Sequence, residues 1–123
     1  MLTTRVQTHT WNDLPVDHVS PTLSRQVVTG RDVMIAKVVL TKGAIVPKHS
    51  HVHEQIAYVM QGALRFALGD DGAEEVTISA GGVIVFPSNV PHAAVVLEES
   101  VVLDVFSPPR EDWIAKTDAY LRA

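Results

Sequence analysis

Residues 43–62, which read GAIVPKHSHVHEQIAYVMQG, decide the fold prediction. Two glycines enclose this stretch, and inside it two runs rich in Ile, Val and Ala flank a polar, histidine-rich connection. β-branched and aromatic residues favour strands, whereas glycine and proline interrupt them. The stretch therefore predicts two short strands, 44–48 and 55–60.

The same alternation of short apolar runs and turn residues continues on both sides. It predicts seven further strands, at 24–29, 33–40, 63–68, 75–79, 83–86, 92–97 and 101–106. Strands with turn residues at roughly every 8 to 12 positions are typical of an all-β sandwich or barrel. Several strands are apolar on both faces, so we expect one face to line a barrel and a second sheet or a partner chain to cover the other.

The two ends of the chain differ from this pattern. Residues 1–23 contain Pro15, Pro21 and several polar side chains, which predicts an irregular N-terminal arm. After residue 107 the apolar residues change to helical spacing, and Glu111 and Asp112 occupy the first turn, where acids suit the helix dipole. We therefore predict one domain, with an arm at 1–23, a barrel at 24–107 and a C-terminal part at 108–123 that carries one helix at about 110–121.

The composition limits the classes of function. The chain has 123 residues, 46% of them apolar, which suits one domain with a substantial core. Its net charge of −4 argues against nucleic-acid binding, which needs a basic face. The sequence contains no cysteine, which excludes a disulfide framework, a thiolate metal site and a cysteine nucleophile.

Membrane and export signals are not predicted either. No apolar run approaches the roughly 20 residues that a membrane-spanning helix needs. Arg5, His9 and Asp13 interrupt the first apolar stretch, so no signal-peptide core is predicted. We expect a cytoplasmic protein that binds neither membranes nor nucleic acids.

Three histidines, His49, His51 and His53, alternate along the chain with two other residues. Side chains two apart in a strand share a face, with Cα atoms roughly 6.6 Å apart, so two imidazoles at this spacing can converge on one metal ion. All three cannot, because the outer two would lie roughly 13 Å apart. The spacing leaves open whether His49 and His51 or His51 and His53 form the pair, and it requires further ligands from elsewhere.

Two longer motifs bear a resemblance to a known family. The first has five, one, three and six residues between Gly43, His49, His51, Gln55 and Gly62, and the second has five, one and two between Gly81, Pro87, Asn89 and His92. Together they resemble the two motifs of the cupin superfamily, although that family usually has Glu at position 55, Gly at position 89 and Asn where Val96 stands. The resemblance implies an RmlC-like jelly-roll β-barrel with a divalent metal held by His49, His51, Gln55 and His92. It also implies that His53 and Glu54 lie in a turn and face solvent.

The glutamine at position 55 affects the expected chemistry. With Gln55 the implied His3Gln ligand set is neutral, so the ion keeps its full dipositive charge and is a stronger Lewis acid. In the alternative, Gln55 is a spectator and three histidines and water hold the metal. Imidazole and amide oxygen suit Ni, Zn, Fe, Mn or Cu, so the sequence predicts one divalent transition metal without naming it.

A charged residue lies within the last predicted strand. Alternation places Val102, Asp104 and Phe106 on one face, and a carboxylate there is costly unless it is paired or functional. Arg110 follows shortly after. Either Asp104 and Arg110 form a structural ion pair, or Asp104 is an acid–base group and Arg110 binds a substrate carboxylate.

The spacing Asp-x-Phe-x3-Arg, together with the metal ligands, resembles the KdgF-type cupins of pectin and alginate breakdown. Those proteins convert 4,5-unsaturated monouronates from the cyclic form to the linear ketone. The resemblance implies that Asp104 is the acid–base residue, Phe106 a wall against the sugar and Arg110 the carboxylate clamp. A metal-dependent dioxygenase and a non-catalytic small-molecule-binding cupin are the alternatives.

The resemblance also bears on assembly and on the C-terminal aromatic residues. Small cupins usually pair through the outer sheet face and the arm, and the doubly apolar strands fit this, so we expect a homodimer. Trp113 and Tyr120 are expected to be packing residues of the C-terminal helix.

Overall fold

The computed structural model describes residues 5–122, and ten β-strands make up most of it. They are β1 (Asp17–Ser20), β2 (Leu23–Thr29), β3 (Met34–Leu40), β4 (Ile45–His49), β5 (Glu54–Gln61), β6 (Ala63–Leu68), β7 (Glu74–Ser79), β8 (Val83–Phe86), β9 (His92–Val96) and β10 (Ser100–Ser107). All nine predicted strands are present, each bound within one residue of its prediction. The all-β prediction is therefore confirmed.

Two antiparallel sheets pack face to face as a jelly roll. One has six strands in the order β1-β2-β3-β10-β5-β8, and the other has four in the order β4-β9-β6-β7. Alternate residues of β3, β5 and β10 are buried, which follows from the two-residue period of a strand with one face on a core. The inner faces enclose a core that includes Met34, Val59, Phe66, Phe86 and Val96.

The N-terminal arm contains one strand that the sequence did not predict. β1 pairs with β2 at the edge of the six-stranded sheet, with Asp17 opposite Arg25. Pro15 and Pro21 lie on either side of it, and prolines are tolerated only at such an edge. Four polar-rich residues between prolines carry too little strand pattern to be recognised from sequence. Residues 1–4 of the predicted arm lie outside the described residues.

The C-terminal part differs from the single predicted helix. It consists of a short helix, α1 (Glu111–Ile114), and a 3₁₀ turn at Ala119–Leu121, and residue 123 lies outside the described range. Lys116 between them has φ of 59°, a left-handed conformation that ends a helix. Two hydrogen bonds from Arg25, of 2.6 and 2.8 Å, hold the Asp118 carboxylate. This buried ion pair attaches residues 108–122, here called the C-terminal segment, to β2.

Candidate functional site

Three histidines meet beyond the end of β4. His49 is the last residue of β4 and pairs with His92, the first residue of β9, while His51 follows in the connection to β5. One ring nitrogen from each lies within 4.8 Å of the others. The structure thus brings together the three histidines that the resemblance implies, and of the two pairs that the spacing allows it uses His49 with His51.

The ring orientation of these histidines is set by backbone carbonyl groups. Each Nδ1 donates a hydrogen bond to a carbonyl oxygen two residues away: His49 to Pro47 at 2.7 Å, His51 to His53 at 3.0 Å and His92 to Val90 at 2.9 Å. A carbonyl can only accept, so in the neutral ring the proton is on Nδ1 and Nε2 carries a free lone pair. A carbonyl oxygen that accepts a hydrogen bond from the ring nitrogen facing away from the metal is typical of metal-binding histidines.

Burial keeps these imidazoles uncharged. Desolvation lowers the pKa of His49 and of His51 to about 4, and the charge of Arg110 adds to the effect at His51. Burial also lowers the pKa of His92. All three rings are therefore neutral at neutral pH, which is the state that binds a metal ion.

The side-chain amide of Gln55 lies beside this cluster. Its Oε1 lies 3.2 Å from Nε2 of His51. Because the Nδ1 bond leaves that Nε2 unprotonated, two lone pairs face each other, and a cation is what satisfies both. Nε2 of His92 is buried and has no hydrogen-bond partner within residues 5–122. The donor set therefore fits a divalent transition metal.

Asp104 explains why a glutamine occupies position 55. Nε2 of Gln55 donates a 3.0 Å hydrogen bond to Oδ1 of Asp104, which lies on the inner face of β10 with Val102 and Phe106. A glutamate at position 55 would place two carboxylates in contact, whereas the amide donates to one side and turns its oxygen to the histidines. Burial raises the pKa of Asp104 to about 6, and the Gln55 hydrogen bond and the charge of Arg110 oppose that rise.

Arg110 is buried beside the same space, but it does not pair with Asp104. Its Nε and Nη2 donate to the two carboxylate oxygens of Asp112, at 2.9 and 2.8 Å, and Nη2 also donates to Oη of Tyr120 at 2.9 Å. The hydrogen bond and charge of Asp112 and the contact with Tyr120 raise the pKa of Arg110 against the effect of burial. Nη1 of Arg110 is buried without a hydrogen-bond partner in the described part of the chain. The structural Asp104–Arg110 ion pair, one of the two sequence alternatives, is therefore absent from residues 5–122.

A cavity of about 70 Å³ connects these groups. Its polar lining comes from His49, Gln55, His92, Asp104, Arg110 and Tyr120, with apolar residues of both sheets around them. Phe106, expected as a wall against the sugar, is not among the residues that line this cavity. Its ring lies behind the site, 5.9 Å from the ring of His51 and 5.1 Å from the guanidinium of Arg110.

Several residues lie elsewhere than the sequence suggested. Trp113 is a buried core residue of the C-terminal helix, as predicted, and also borders the cavity. Tyr120, predicted as a packing residue of that helix, instead lines the cavity and stacks on His49 with ring centroids 4.7 Å apart. Nothing local in the sequence reveals this, because it depends on the C-terminal segment folding back over the barrel. His53 is half-buried against Phe106 rather than facing solvent. It does not belong to the cluster of His49, His51 and His92.

The family model of the cupin domain matches residues 36–106. The chain belongs to the cupin family. It is 33% identical over 106 residues to the pectin degradation protein KdgF of Dickeya dadantii, covering 84% of this chain and 94% of that protein.

Solved structures agree with this assignment. KdgF from a Halomonas species superposes with a TM-score of 0.81 at 34% identity, covering 89% of this chain and 99% of that one. An RmlC-like cupin from Shewanella frigidimarina has a TM-score of 0.80 at 28% identity, covering 89% and 96%. Oxalate decarboxylase from Bacillus subtilis has a TM-score of 0.75 at 22% identity and shows the shared fold alone. No helix within residues 5–122 is long and apolar enough to cross a membrane.

Metal addition is expected to stabilise the protein through the histidine cluster. An ion that binds only the folded chain, present at about 100 times its dissociation constant, adds about 2.7 kcal/mol, which is roughly 8–15 °C in Tm for a domain of this size. We expect Zn²⁺ or Ni²⁺ to raise the Tm of chelator-treated protein with one ion per chain. His92→Ala is expected to remove the rise, and His53→Ala to retain it. The opposite ranking would place the ligands at His51 and His53.

Proposed function

We propose that this cupin holds one divalent metal ion at His49, His51, Gln55 and His92 and converts a 4,5-unsaturated monouronate from its cyclic form to the linear ketone. The observation that carries the proposal is one cavity with three kinds of group: neutral metal ligands, a buried Asp104 and a guanidinium with an unpartnered Nη1. The similarity to KdgF proteins, one of them named for pectin degradation, supports an acidic sugar as substrate.

The reaction is an isomerisation that needs one proton acceptor and one proton donor. The anomeric hydroxyl loses a proton, the bond between C1 and the ring oxygen breaks, and a proton adds to C4, so the atoms balance without an oxidant. A divalent ion, when bound, supplies Lewis acidity to substrate oxygens. Asp104, whose pKa burial raises to about 6, accepts the hydroxyl proton and returns a proton to carbon.

Arg110 and its neighbours orient the substrate. Two N–H groups of Nη1 are not used by Asp112 or Tyr120, and a guanidinium binds carboxylates with good geometry. The bidentate contact with Asp112 and the rings of Phe106 and Trp113 hold the guanidinium in place. Phe106 therefore acts as a positioning residue that fixes His51 and Arg110, and the substrate carboxylate binds at the Nη1 side.

A proton NMR time course tests the proposed function. Metal-loaded protein is incubated with a 4,5-unsaturated monouronate beside a control without protein, and the ring vinyl signal is followed. We expect the signal to disappear faster with protein, a chelator to abolish the acceleration, and a parallel oxygen electrode to record no uptake. A vinyl signal that decays at the control rate would overturn the proposed function, and oxygen uptake would replace it by a dioxygenase.

We also propose that the protein is a homodimer through the outer face of the six-stranded sheet. Ile56, Tyr58, Val83 and Val85 lie next to one another there, because Tyr58 pairs with Val83 and Ile56 with Val85, and all four are exposed. Contiguous apolar patches of this kind mark interfaces. We expect a dimer by sedimentation at micromolar concentration and a monomer for Val85→Lys. The control Ile45→Lys, on the other sheet, is expected to remain dimeric, and a wild-type monomer contradicts the interface.

A further inference from the structure

The cavity is too small for the substrate class proposed above. Its volume is about 70 Å³, whereas an engineered protein cavity that binds benzene measures about 150 Å³. A six-membered sugar ring with a carboxylate and hydroxyl groups is larger than benzene. Some part of the lining therefore has to move before such a ligand can reach Arg110 and the histidines.

Tyr120 and Leu121 lie between the cavity and a neighbouring groove. Both residues line the cavity and also a groove of about 220 Å³ on the other side, beside β4 and the β1–β2 turn. The other residues shared by the two spaces, Leu23, Leu40 and Val46, belong to paired strands. Tyr120 lies in the 3₁₀ turn at Ala119–Leu121, outside the paired strands, so its side chain is the part of this wall that can move.

The hydroxyl of Tyr120 occupies a position that a carboxylate needs. Arg110 has five N–H donors, of which Asp112 takes two and Tyr120 one, and the two on Nη1 remain. A carboxylate that binds Arg110 with both oxygens uses Nη1 and Nη2 together. The Tyr120 oxygen, 2.9 Å from Nη2, therefore stands where the second carboxylate oxygen would bind.

We propose that Tyr120 selects for acidic ligands by giving up this position. The ligand carboxylate replaces the phenol oxygen on Arg110, and the Tyr120 side chain rotates away from the ring of His49. This movement of Tyr120 joins the cavity to the groove. Ion pairs of Asp118 with Arg25 and of Arg122 with Asp17 hold the chain on both sides of Tyr120, so the side chain moves and the segment stays. A neutral sugar has no carboxylate to accept the hydrogen bond from Nη2, so Tyr120 stays in place. This inference rests on the proposed function for its ligand class.

The protein contains only two tyrosines, which makes the movement directly observable. In protein labelled with 3-fluorotyrosine, 19F NMR gives one signal for Tyr120 and one for Tyr58, and Tyr58→Phe assigns them. Tyr58 lies on the outer sheet face, away from the cavity, and serves as the internal reference. We expect D-galacturonate to move the Tyr120 signal towards that of a solvent-exposed tyrosine, and the matched neutral sugar D-galactose to leave it unchanged. A Tyr120 signal that galacturonate does not move overturns the proposal.

Tyr120→Phe provides the complementary measurement, since it keeps the ring and removes the competing oxygen. A hydrogen bond worth about 0.5–1.5 kcal/mol no longer has to break, so calorimetry is expected to show galacturonate binding about 2- to 12-fold tighter. Weaker binding would make the hydroxyl a donor to the ligand, and unchanged binding would give it no part in recognition; both overturn the proposal. If the unsaturated uronate is turned over but the Tyr120 signal does not move, only this inference is refuted. If the Tyr120 signal moves but the uronate is not turned over, only the proposed function is refuted.

Discussion

Asp104→Asn is expected to lower turnover of the unsaturated uronate by about 10²- to 10⁴-fold while leaving metal binding nearly unchanged. The size of the loss is that of removing a positioned acid–base group. Asparagine has the same shape and its Oδ1 still accepts the hydrogen bond from Gln55, so the amide oxygen continues to face His51. Proton NMR measures the rate at which the ring vinyl signal disappears, and calorimetry measures the metal affinity.

Two further variants separate the chemical role of Asp104 from its structural one. Asp104→Ala also removes the acceptor for Gln55, so we expect it to weaken metal binding as well as turnover. Asp70→Asn makes the same chemical change at an exposed position of the β6–β7 turn and is expected to leave both unchanged. If Asp104→Asn turns over at the wild-type rate with its metal in place, Asp104 is not the acid–base group.

The strand pattern and the shared face of Val102, Asp104 and Phe106 were predictable from sequence because both follow from local periodicity. Which face points inward was not predictable, because both faces of residues 101–106 are largely apolar and a one-residue register slip would exchange them. In the structure the face that carries Asp104 is the buried one. The three metal-type histidines were also predictable, but only once the motif spacing selected among them. Position 55 appeared as a departure from the family, and the structure supplies its reason in the hydrogen bond to Asp104.

The C-terminal segment was not predictable in the same way because distant contacts override its local pattern. Helical spacing after Pro109 is real, but the buried bond between Arg25 and Asp118 joins residues 93 positions apart and ends the helix early. Arg110 forms its ion pair with Asp112 and not with Asp104, and the ring of Tyr120 stacks on that of His49. No periodicity argument reports such contacts, since propensity is a weak prior against tertiary packing.

Asp118→Ala is expected to destabilise the protein by about 3 kcal/mol, at the lower end of the cost of breaking a buried ion pair. The Asp118 side chain is fully buried and that of Arg25 is 1% exposed, so the guanidinium would lose its main partner without gaining water. Asp17, 3.4 Å from Arg25, compensates part of the charge and keeps the cost from being larger. Urea unfolding monitored by circular dichroism measures the change.

The exposed pair of Arg65 and Glu75 is the matched control for this prediction. Their side chains are 45% and 60% exposed, so Glu75→Ala is expected to cost less than about 1 kcal/mol. Asp118 also lies two residues from Tyr120 and anchors the segment that carries Arg110. Its loss is therefore expected to free that segment and to raise proteolysis after Lys116 before the barrel unfolds. A stability change no larger than that of Glu75→Ala would mean that apolar packing of Trp113, and not the ion pair, holds the C-terminal segment on the barrel.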